Sequence, residues 1–325
     1  QYLRMPQGFK ASGDIYTRRY DDLISHIQNK IKIVDDALLY CTGIEQNFWD
    51  TWDFLTLLGN NGIVASAPKF QFCSLDVLFG GLNITSDGIR PSESIMSAIE
   101  NFPAPTDLTS ARSWFGLVNQ VSWAYSISTK MQPFRDLIKP NVKFYWDHTL
   151  ETLFDQSKKE IVAAVHEGVK SFEPSRKTCL QTDWCPEGIG YLLLQKHCQC
   201  PTDKVPTCCQ DGWKLIFANS RFTKPAESDY SPTEGEALSV SWSLENSKMF
   251  TMGCPDLIVS VDHKPLLGIL NDRDLSRIKN NRLLTLKEST FLWDFEIVYN
   301  PGKWHRSPDA MSRHPSKPSI CHIFS

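Results

Sequence analysis

The stretch TCLQTDWCPEGIGYLLLQ at residues 178–195 decides the fold of the second half of this 325-residue chain. It contains two apolar runs of strand length, and a third run follows at residues 213–218. An amphipathic helical pattern over residues 234–248 then precedes a buried-type strand at 256–262. Strands that come first and then alternate with helices predict an α/β (α+β) fold with a mixed sheet and flanking helices.

Carboxylates stand at the ends of these predicted elements. Asp183 and Asp262 each end an apolar strand. Glu236 lies in the first turn of a helix, and Asp309 opens the last predicted helix. Four carboxylates converging at a sheet edge repel one another unless cations lie between them, and two Mg²⁺ (or Mn²⁺) ions about 3.5–4 Å apart offset that repulsion. A single acid at a strand end is more often a turn or cap residue, so the prediction depends on the order and spacing of all four.

The acids lie in sequence blocks that resemble the RNase H domain of gypsy-type LTR retrotransposon Pol polyproteins. The blocks, in the family's order, are residues 182–195, 231–242 (SPTEGEALSVSW), 261–266 (VDHKPL) and 301–313. The resemblance covers about residues 172–315 and implies an RNase H-like fold that cuts the RNA strand of RNA–DNA hybrids by a two-metal mechanism. The catalytic and magnesium-binding residues that it implies are Asp183, Glu236, Asp262 and Asp309.

Neighbours of these acids receive supporting roles. Glu234 stands two residues before the second acid and is expected to face solvent as an ordinary helix residue. His263 and His305 are expected to support the site or contact phosphate rather than to carry protons. Trp184 departs from the family pattern, because a small residue usually follows the first acid, and its ring is expected to crowd the backbone of a bound hybrid.

The first half resembles part of a reverse transcriptase. Asp35 and Asp36 lie between two apolar runs, as the catalytic pair of the polymerase hairpin does, whereas without this context they would read equally well as an acidic turn. Gln7 and Gly8 belong to a block, RMPQGF, that resembles the lining of the template and nucleotide pocket. Polymerisation needs one more Asp on an earlier strand, which would precede Gln1. The pair is therefore expected to be a polymerase remnant, with RNA-directed DNA synthesis only in the full-length parent.

The blocks divide the chain into predicted domains. A partial reverse transcriptase palm is expected at residues 1–89, a small helical thumb and connection module at 90–145, a linking helix at 146–171, an RNase H-like domain at 172–315 and a tail at 316–325. The resemblance implies an RNA–DNA hybrid and a template–primer duplex as ligands. Other segments of the same polyprotein are candidate partners.

A cysteine-rich stretch offers soft metal ligands. His197, Cys198 and Cys200 are followed by the neighbouring pair Cys208 and Cys209. Structural zinc sites usually separate their paired ligands by two to four residues, and an adjacent pair fits that template poorly. Reduced loop thiols are therefore the favoured interpretation, and zinc is the weaker one. The loop is expected to point away from the four acids.

Basic residues in the helical region are candidates for nucleic-acid binding. Arg112, Lys130, Arg135 and Lys139 alternate with aromatic residues, among them Trp114, Trp123 and Phe134, as a surface that follows a duplex backbone would require. The equally weighted alternative is a helical module with a solvated charged face and an aromatic core.

Composition limits the class of protein. Hydrophobic residues make up 41% and charged residues 22% of the chain, and the net charge is −3, so no overall basic field indicates nucleic-acid binding. No apolar run reaches the length of a membrane span, and the N-terminus lacks a secretory pattern. Scattered cysteines fit a reducing, intracellular setting, cytoplasmic or nuclear, such as a retroelement particle. The alternative to a nuclease is a non-catalytic nucleic-acid-binding remnant of a decayed or domesticated element.

Overall fold

The first 86 residues and the remainder form two separate units in the computed structural model of the chain. The units are Gln1–Ser86 and Asp87–Ser325, and finer domain bounds stay a prediction. The structure describes residues 8–124, 128–139, 142–166, 168–201, 206, 208–209, 212–272 and 274–301. Within these residues no helix is long and apolar enough to cross a membrane.

Among its described residues, the first unit contains two α-helices and two hairpins. They are α1 (Ser12–Ile24), β1 (Lys30–Ile33), β2 (Asp36–Leu39), α2 (Ile44–Asn60), β3 (Asp76–Phe79) and β4 (Leu82–Thr85). Each hairpin is antiparallel. Tyr20 and Ile24 on α1 pack with Phe54 and Leu58 on α2, four residues apart in each helix, which is the spacing that puts two side chains on one helix face. This small core positions the β1–β2 turn.

A helical module opens the second unit. It comprises β5 (Gly88–Pro91), α3 (Glu93–Glu100), α4 (Leu108–Asn119), α5 (Ser128–Arg135), α6 (His148–Val165) and β6 (Val169–Lys170). Asp107 caps α4 by accepting a hydrogen bond from the Ser110 amide at 2.7 Å, as its position before an apolar run predicts. The rings of Trp114 and Phe154 meet at 4.9 Å in the core of this module.

A five-stranded mixed sheet with helices makes up the rest. Its strands are β7 (Thr178–Cys185), β8 (Gly188–Lys196), β9 (Trp213–Phe222), β10 (Leu257–Val261) and β11 (Glu296–Tyr299), in the order β11-β10-β7-β8-β9. The helices are α7 (Pro225–Ser228), α8 (Pro232–Asn246), α9 (Lys248–Thr251), α10 (Pro265–Leu267) and α11 (Asn281–Ser289). Pairs β7–β8 and β8–β9 are antiparallel, whereas β10 runs parallel to β7 and to β11. The mixed α/β fold predicted from the sequence is confirmed.

Both faces of this sheet are covered. Leu180 of β7 faces a core that includes Val240 and Leu244 of α8, whereas its neighbour Cys179 faces a second cluster on the other side. Successive strand residues point to opposite faces, so apolar residues in both registers require cover on both sides. The helical module lies against β9, where the Arg135 guanidinium stacks 4.1 Å from the centre of the Phe222 ring. This burial explains why the strands read as continuous apolar runs.

Candidate active site

Two of the predicted acids meet because their strands are parallel neighbours. Val259 of β10 pairs with Leu180 of β7, and Ser260 pairs with Gln181. Continuing this register by two residues sets Asp262 beside Asp183. Parallel strands lie about 4.8 Å apart, and residues in register point to the same face, so the two carboxylates share one side of the sheet.

The third acid comes from helix α8. Ser231 and Glu234 form a capping box that fixes where the helix begins. Glu236 then lies in the first turns, on the buried face of the helix that packs over β7. Carboxylate oxygens of Asp183, Glu236 and Asp262 all lie within 4.8 Å of one another. The structure therefore brings three of the four predicted acids together, and Asp309 lies outside the described residues.

The environment of the three acids suits a hard cation. Asp183 is 2% exposed and Glu236 is 6% exposed, while Asp262 is half-buried. Burial raises the pKa of Glu236 well above its ordinary value, and the charges of Asp183 and Asp262 raise it further. Oxygen Oε2 of Glu236 is buried and lacks a hydrogen-bond partner among the described residues. A divalent cation would satisfy that oxygen and neutralise the repulsion, and an all-oxygen ligand set is the chemistry of Mg²⁺ or Mn²⁺.

Glu234 does not face solvent as expected. Its carboxylate accepts hydrogen bonds from the Ser231 amide at 3.0 Å, from Asn280 Nδ2 at 3.0 Å and from Arg282 Nη1 at 2.8 Å. These donors hold the pKa of Glu234 at about 2, the bond from Asn280 having the largest effect. The expectation was wrong because local helix position cannot show that residues 280–282 fold back over the first turn of α8. Glu234 links α8 to the start of α11.

Trp184 packs on the helix that carries Glu236. A methyl group at Gly235 would lie 2.2 Å from Cδ2 of the Trp184 ring, so only glycine lets the indole rest there. His263 is also tied to α8, because its Nε2 lies 2.9 Å from the hydroxyl of Thr233. Sequence reasoning missed Thr233 and Gly235 as positioning residues. The only sequence signal for these two residues was their position next to the acids. Such a position does not show whether a residue also contacts the site.

The Asp35–Asp36 pair lies in a tight turn of the first unit. Ile33 pairs with Asp36 across the hairpin, and Val34 in the turn has φ of +50°, a rare conformation for a β-branched residue. Both acids and Gly8 line a cleft of about 900 Å³. Gln7 lies outside the described residues. The structure thus brings the predicted Asp35–Asp36 pair and Gly8 of the RMPQGF block to the same cleft.

Two of the aromatic residues are too deeply buried to share a surface with the basic candidates. Trp114 and Phe134 are each 1% exposed and belong to the core of the helical module, so the alternative of an aromatic core is correct for them. Lys139 forms an exposed ion pair with Asp136 at 2.5 Å. Arg112 is exposed, Arg135 is half-buried against Phe222, and the side chain of Lys130 lies outside the described part of the chain.

The four clustered cysteines meet between β8 and β9. The Sγ atoms of Cys198, Cys200, Cys208 and Cys209 all lie within 4.8 Å of one another, and His197 is not one of the group. Hydrogen bonds, first from the Cys200 amide and then from the Cys208 thiol, lower the pKa of Cys198 to about 7. The ring nitrogen Nε2 of His197 is buried and has no partner among the described residues. The spacing of the cysteines along the sequence therefore did not predict that the four thiols lie so close together.

One protein family matches the second half of the chain, and longer relatives match nearly all of it. Residues 173–288 match the family described as an RNase H-like domain found in reverse transcriptase. The chain is 24% identical over 327 residues to the retrovirus-related Pol polyprotein from transposon opus of Drosophila melanogaster, covering 97% of this chain and 31% of that protein. It is 23% identical over 317 residues to the transposon Tf2-3 polyprotein of Schizosaccharomyces pombe, covering 96% and 23%. The chain thus spans less than a third of the length of these relatives.

Solved structures show the same fold. The foamy viral protease-reverse transcriptase in complex with an RNA/DNA hybrid matches with a TM-score of 0.70 at 18% identity, covering 100% of this chain and 42% of that one. The foamy viral protease-reverse transcriptase dRH in complex with double-stranded DNA matches with a TM-score of 0.69 at 19% identity, covering 92% and 50%. Residues 173–288 are therefore similar to the RNase H-like domain found in reverse transcriptases, within a chain similar to part of transposon Pol polyproteins.

Proposed function

We propose that this chain is part of a gypsy-type retrotransposon Pol polyprotein and cuts the RNA strand of RNA–DNA hybrids. Two Mg²⁺ (or Mn²⁺) ions would be held by Asp183, Glu236, Asp262 and Asp309. The observation that carries the proposal is the convergence of three carboxylates from three different elements within 4.8 Å. The match of residues 173–288 to the RNase H-like domain of reverse transcriptases supports the choice of substrate.

Each acid has a role that follows from its position. Asp183 lies in β7 and Asp262 directly follows its parallel neighbour β10, so the sheet fixes the spacing of their oxygens. Glu236 approaches from α8, and its burial keeps competing water away from the site. When bound, the cations would supply charge stabilisation at the phosphate and a lowered pKa for the attacking water. His263, held by Thr233 at the rim, would orient the hybrid backbone rather than carry a proton.

The first unit would bind the template–primer duplex. Asp35, Asp36 and Gly8 line one cleft, which supports their assignment to a polymerase site. DNA synthesis is proposed only for the full-length parent. The segments of the same polyprotein outside this chain are the proposed protein partners.

Cleavage of a labelled hybrid tests the proposal. The purified 325-residue chain would be incubated with a hybrid labelled on the RNA strand, in Mg²⁺, in EDTA, and as the Asp262→Asn variant. Asp256→Asn is the matched control, because this exposed acid stands at the opposite end of the same strand, β10. We expect the wild type and the control to cut only the RNA strand in Mg²⁺. EDTA and Asp262→Asn should abolish cutting.

Two results would contradict the proposal. Full activity of Asp262→Asn would show that the assignment of Asp262 to the catalytic site is wrong. Absence of cleavage in a folded sample that still binds the hybrid in a salt-dependent manner would favour the non-catalytic nucleic-acid-binding remnant.

A further inference from the structure

Four thiols converge in the loop that connects β8 and β9. The Sγ atoms of Cys198, Cys200, Cys208 and Cys209 lie within 4.8 Å of one another, and those of Cys198 and Cys208 are 3.3 Å apart. Four sulfurs about 2.3 Å from one tetrahedral zinc ion stand about 3.8 Å from each other. The observed 3.3 Å lies below that value and no other separation exceeds 4.8 Å, so movements of about 1 Å or less would complete the tetrahedron.

The backbone around the thiols is fixed at both strand ends. Lys196 pairs with Trp213 as the last rung of the ladder, and the His197 amide then donates to the carbonyl of Gly212 at 2.7 Å. The ammonium group of Lys196 donates to the carbonyl of Cys200, also at 2.7 Å. The thiols are therefore carried on a loop whose two ends are already closed, which lowers the entropy that a bound ion would have to offset.

Gly212 shows how tightly the sulfurs are packed. A Cβ atom at this residue would lie 2.7 Å from Sγ of Cys198, 2.7 Å from Sγ of Cys209 and 3.0 Å from Sγ of Cys208. Short, stiff cysteine side chains cannot move away from such a contact without leaving the cluster. Glycine is thus required here for the four thiols to meet.

We propose that Cys198, Cys200, Cys208 and Cys209 bind one structural Zn²⁺ ion. All four ligand atoms are sulfur, and a closed tetrahedral S₄ set is typical of structural zinc. Each cysteine would bind as a thiolate, so its proton leaves to solvent, and no electron is transferred. The adjacent Cys208–Cys209 pair fits the usual ligand spacing of zinc sites poorly. The chain path nevertheless brings this pair into contact with the Cys198–Cys200 pair.

The zinc ion would hold the β8–β9 hairpin together and would take no part in hydrolysis. Thr178 pairs with Gln195 near the thiols, whereas Asp183 pairs with Gly190 five residues further along β7. At about 3.4 Å per residue, the thiols and the acids are separated by roughly 17 Å along the strand. The expected orientation of this loop, away from the acids, agrees with that distance. The inference therefore stands independently of the proposed nuclease activity.

Zinc content decides the proposal. The full chain would be purified in reductant without chelator, and metal would be counted by inductively coupled plasma mass spectrometry. We expect one zinc per chain in the wild type and background levels in the Cys198→Ser/Cys208→Ser variant. Cys41→Ser/Cys73→Ser is the matched control, because it also removes two thiols but leaves the cluster intact, and it should keep one zinc per chain.

A second measurement covers the case in which the double variant fails to fold. Titration of the metal-free wild type with Co²⁺ should give the absorption bands of a tetrahedral thiolate site. Gly212→Ala keeps every thiol but should weaken zinc binding by about 10-fold or more, as changes around metal ligands do.

Three outcomes would overturn the inference. The first is absence of zinc from folded wild type incubated with Zn²⁺. The second is equal zinc in the wild type and in a folded Cys198→Ser/Cys208→Ser variant. The third is an intact mass two hydrogens lighter than the reduced chain, with a disulfide between Cys198 and Cys208 in its place.

Discussion

Replacing Glu236 by glutamine should stabilise the metal-free protein at neutral pH while abolishing hybrid cleavage. Glu236 is buried beside Asp183 and Asp262, and burial and these two charges raise its pKa above the ordinary value of 4.5. Glutamine keeps nearly the same shape without a charge. The substitution therefore removes the electrostatic penalty and leaves the packing of α8 on the sheet in place.

The size of the effect follows from the distances. Two unit charges within 4.8 Å of one another repel by roughly 3 kcal/mol or more at an effective dielectric constant of about 20. A raised folded pKa means that stability is fully present below pH 4.5 and is lost as pH rises above it. We expect Glu236→Gln to gain about 1–3 kcal/mol at pH 7 and almost nothing at pH 4.

Thermal unfolding in EDTA at pH 4 to 8 measures this difference. For a unit of this size, each kcal/mol corresponds to a rise in Tm of about 2–4 °C. Adding Mg²⁺ should then raise the Tm of the wild type, because a ligand that binds only the folded state stabilises it, but should leave Glu236→Gln almost unchanged. A variant that is less stable than the wild type at pH 7 in EDTA, or equally shifted at pH 4 and pH 7, would refute the reasoning.

Four further changes test the surroundings of the site, the core of the helical module and the binding of the hybrid. Glu234→Gln should destabilise the protein by about 1 kcal/mol at pH 7, because the amide keeps an acceptor for the capping box but loses the charge that Asn280 and Arg282 stabilise. Its low pKa of about 2 means that this difference fades as pH falls below 4.5, which urea unfolding at pH 3 and 7 would show or deny. Gly235→Ala should cost about 1–3 kcal/mol through its clash with the Trp184 ring, and combining it with Trp184→Ala should make the two costs less than additive in Tm measurements. Phe154→Ala, at a fully buried position, should cost about 3–5 kcal/mol in chemical denaturation, and a cost below about 1 kcal/mol would contradict the described core. Arg112→Ala should weaken hybrid binding and reduce its salt dependence by about one ion without changing Tm, and unchanged affinity in a binding titration would remove Arg112 from the nucleic-acid surface.

The sequence alone was sufficient for the sheet and for the location of three acids. Apolar runs on strands buried on both faces are local signals, so the strands around residues 178–195 and the helix Pro232–Asn246 could be assigned from pattern. The acids could be placed because a parallel sheet brings the carboxyl ends of its strands to one edge, and Asp183 lies near the end of β7 while Asp262 directly follows β10.

Tertiary structure decided what depends on chain path between distant segments. Glu234 links α8 to the start of α11 because residues 280–282 return to the start of α8. The sequence around Glu234 does not predict that contact. Trp114 turned inward because α4 packs on α6, although its spacing beside Arg112 suits a surface equally well. The thiols of Cys198 and Cys208 meet because β8 and β9 pair as far as Lys196 and Trp213, so strand register, and not ligand spacing, brings the sulfurs together.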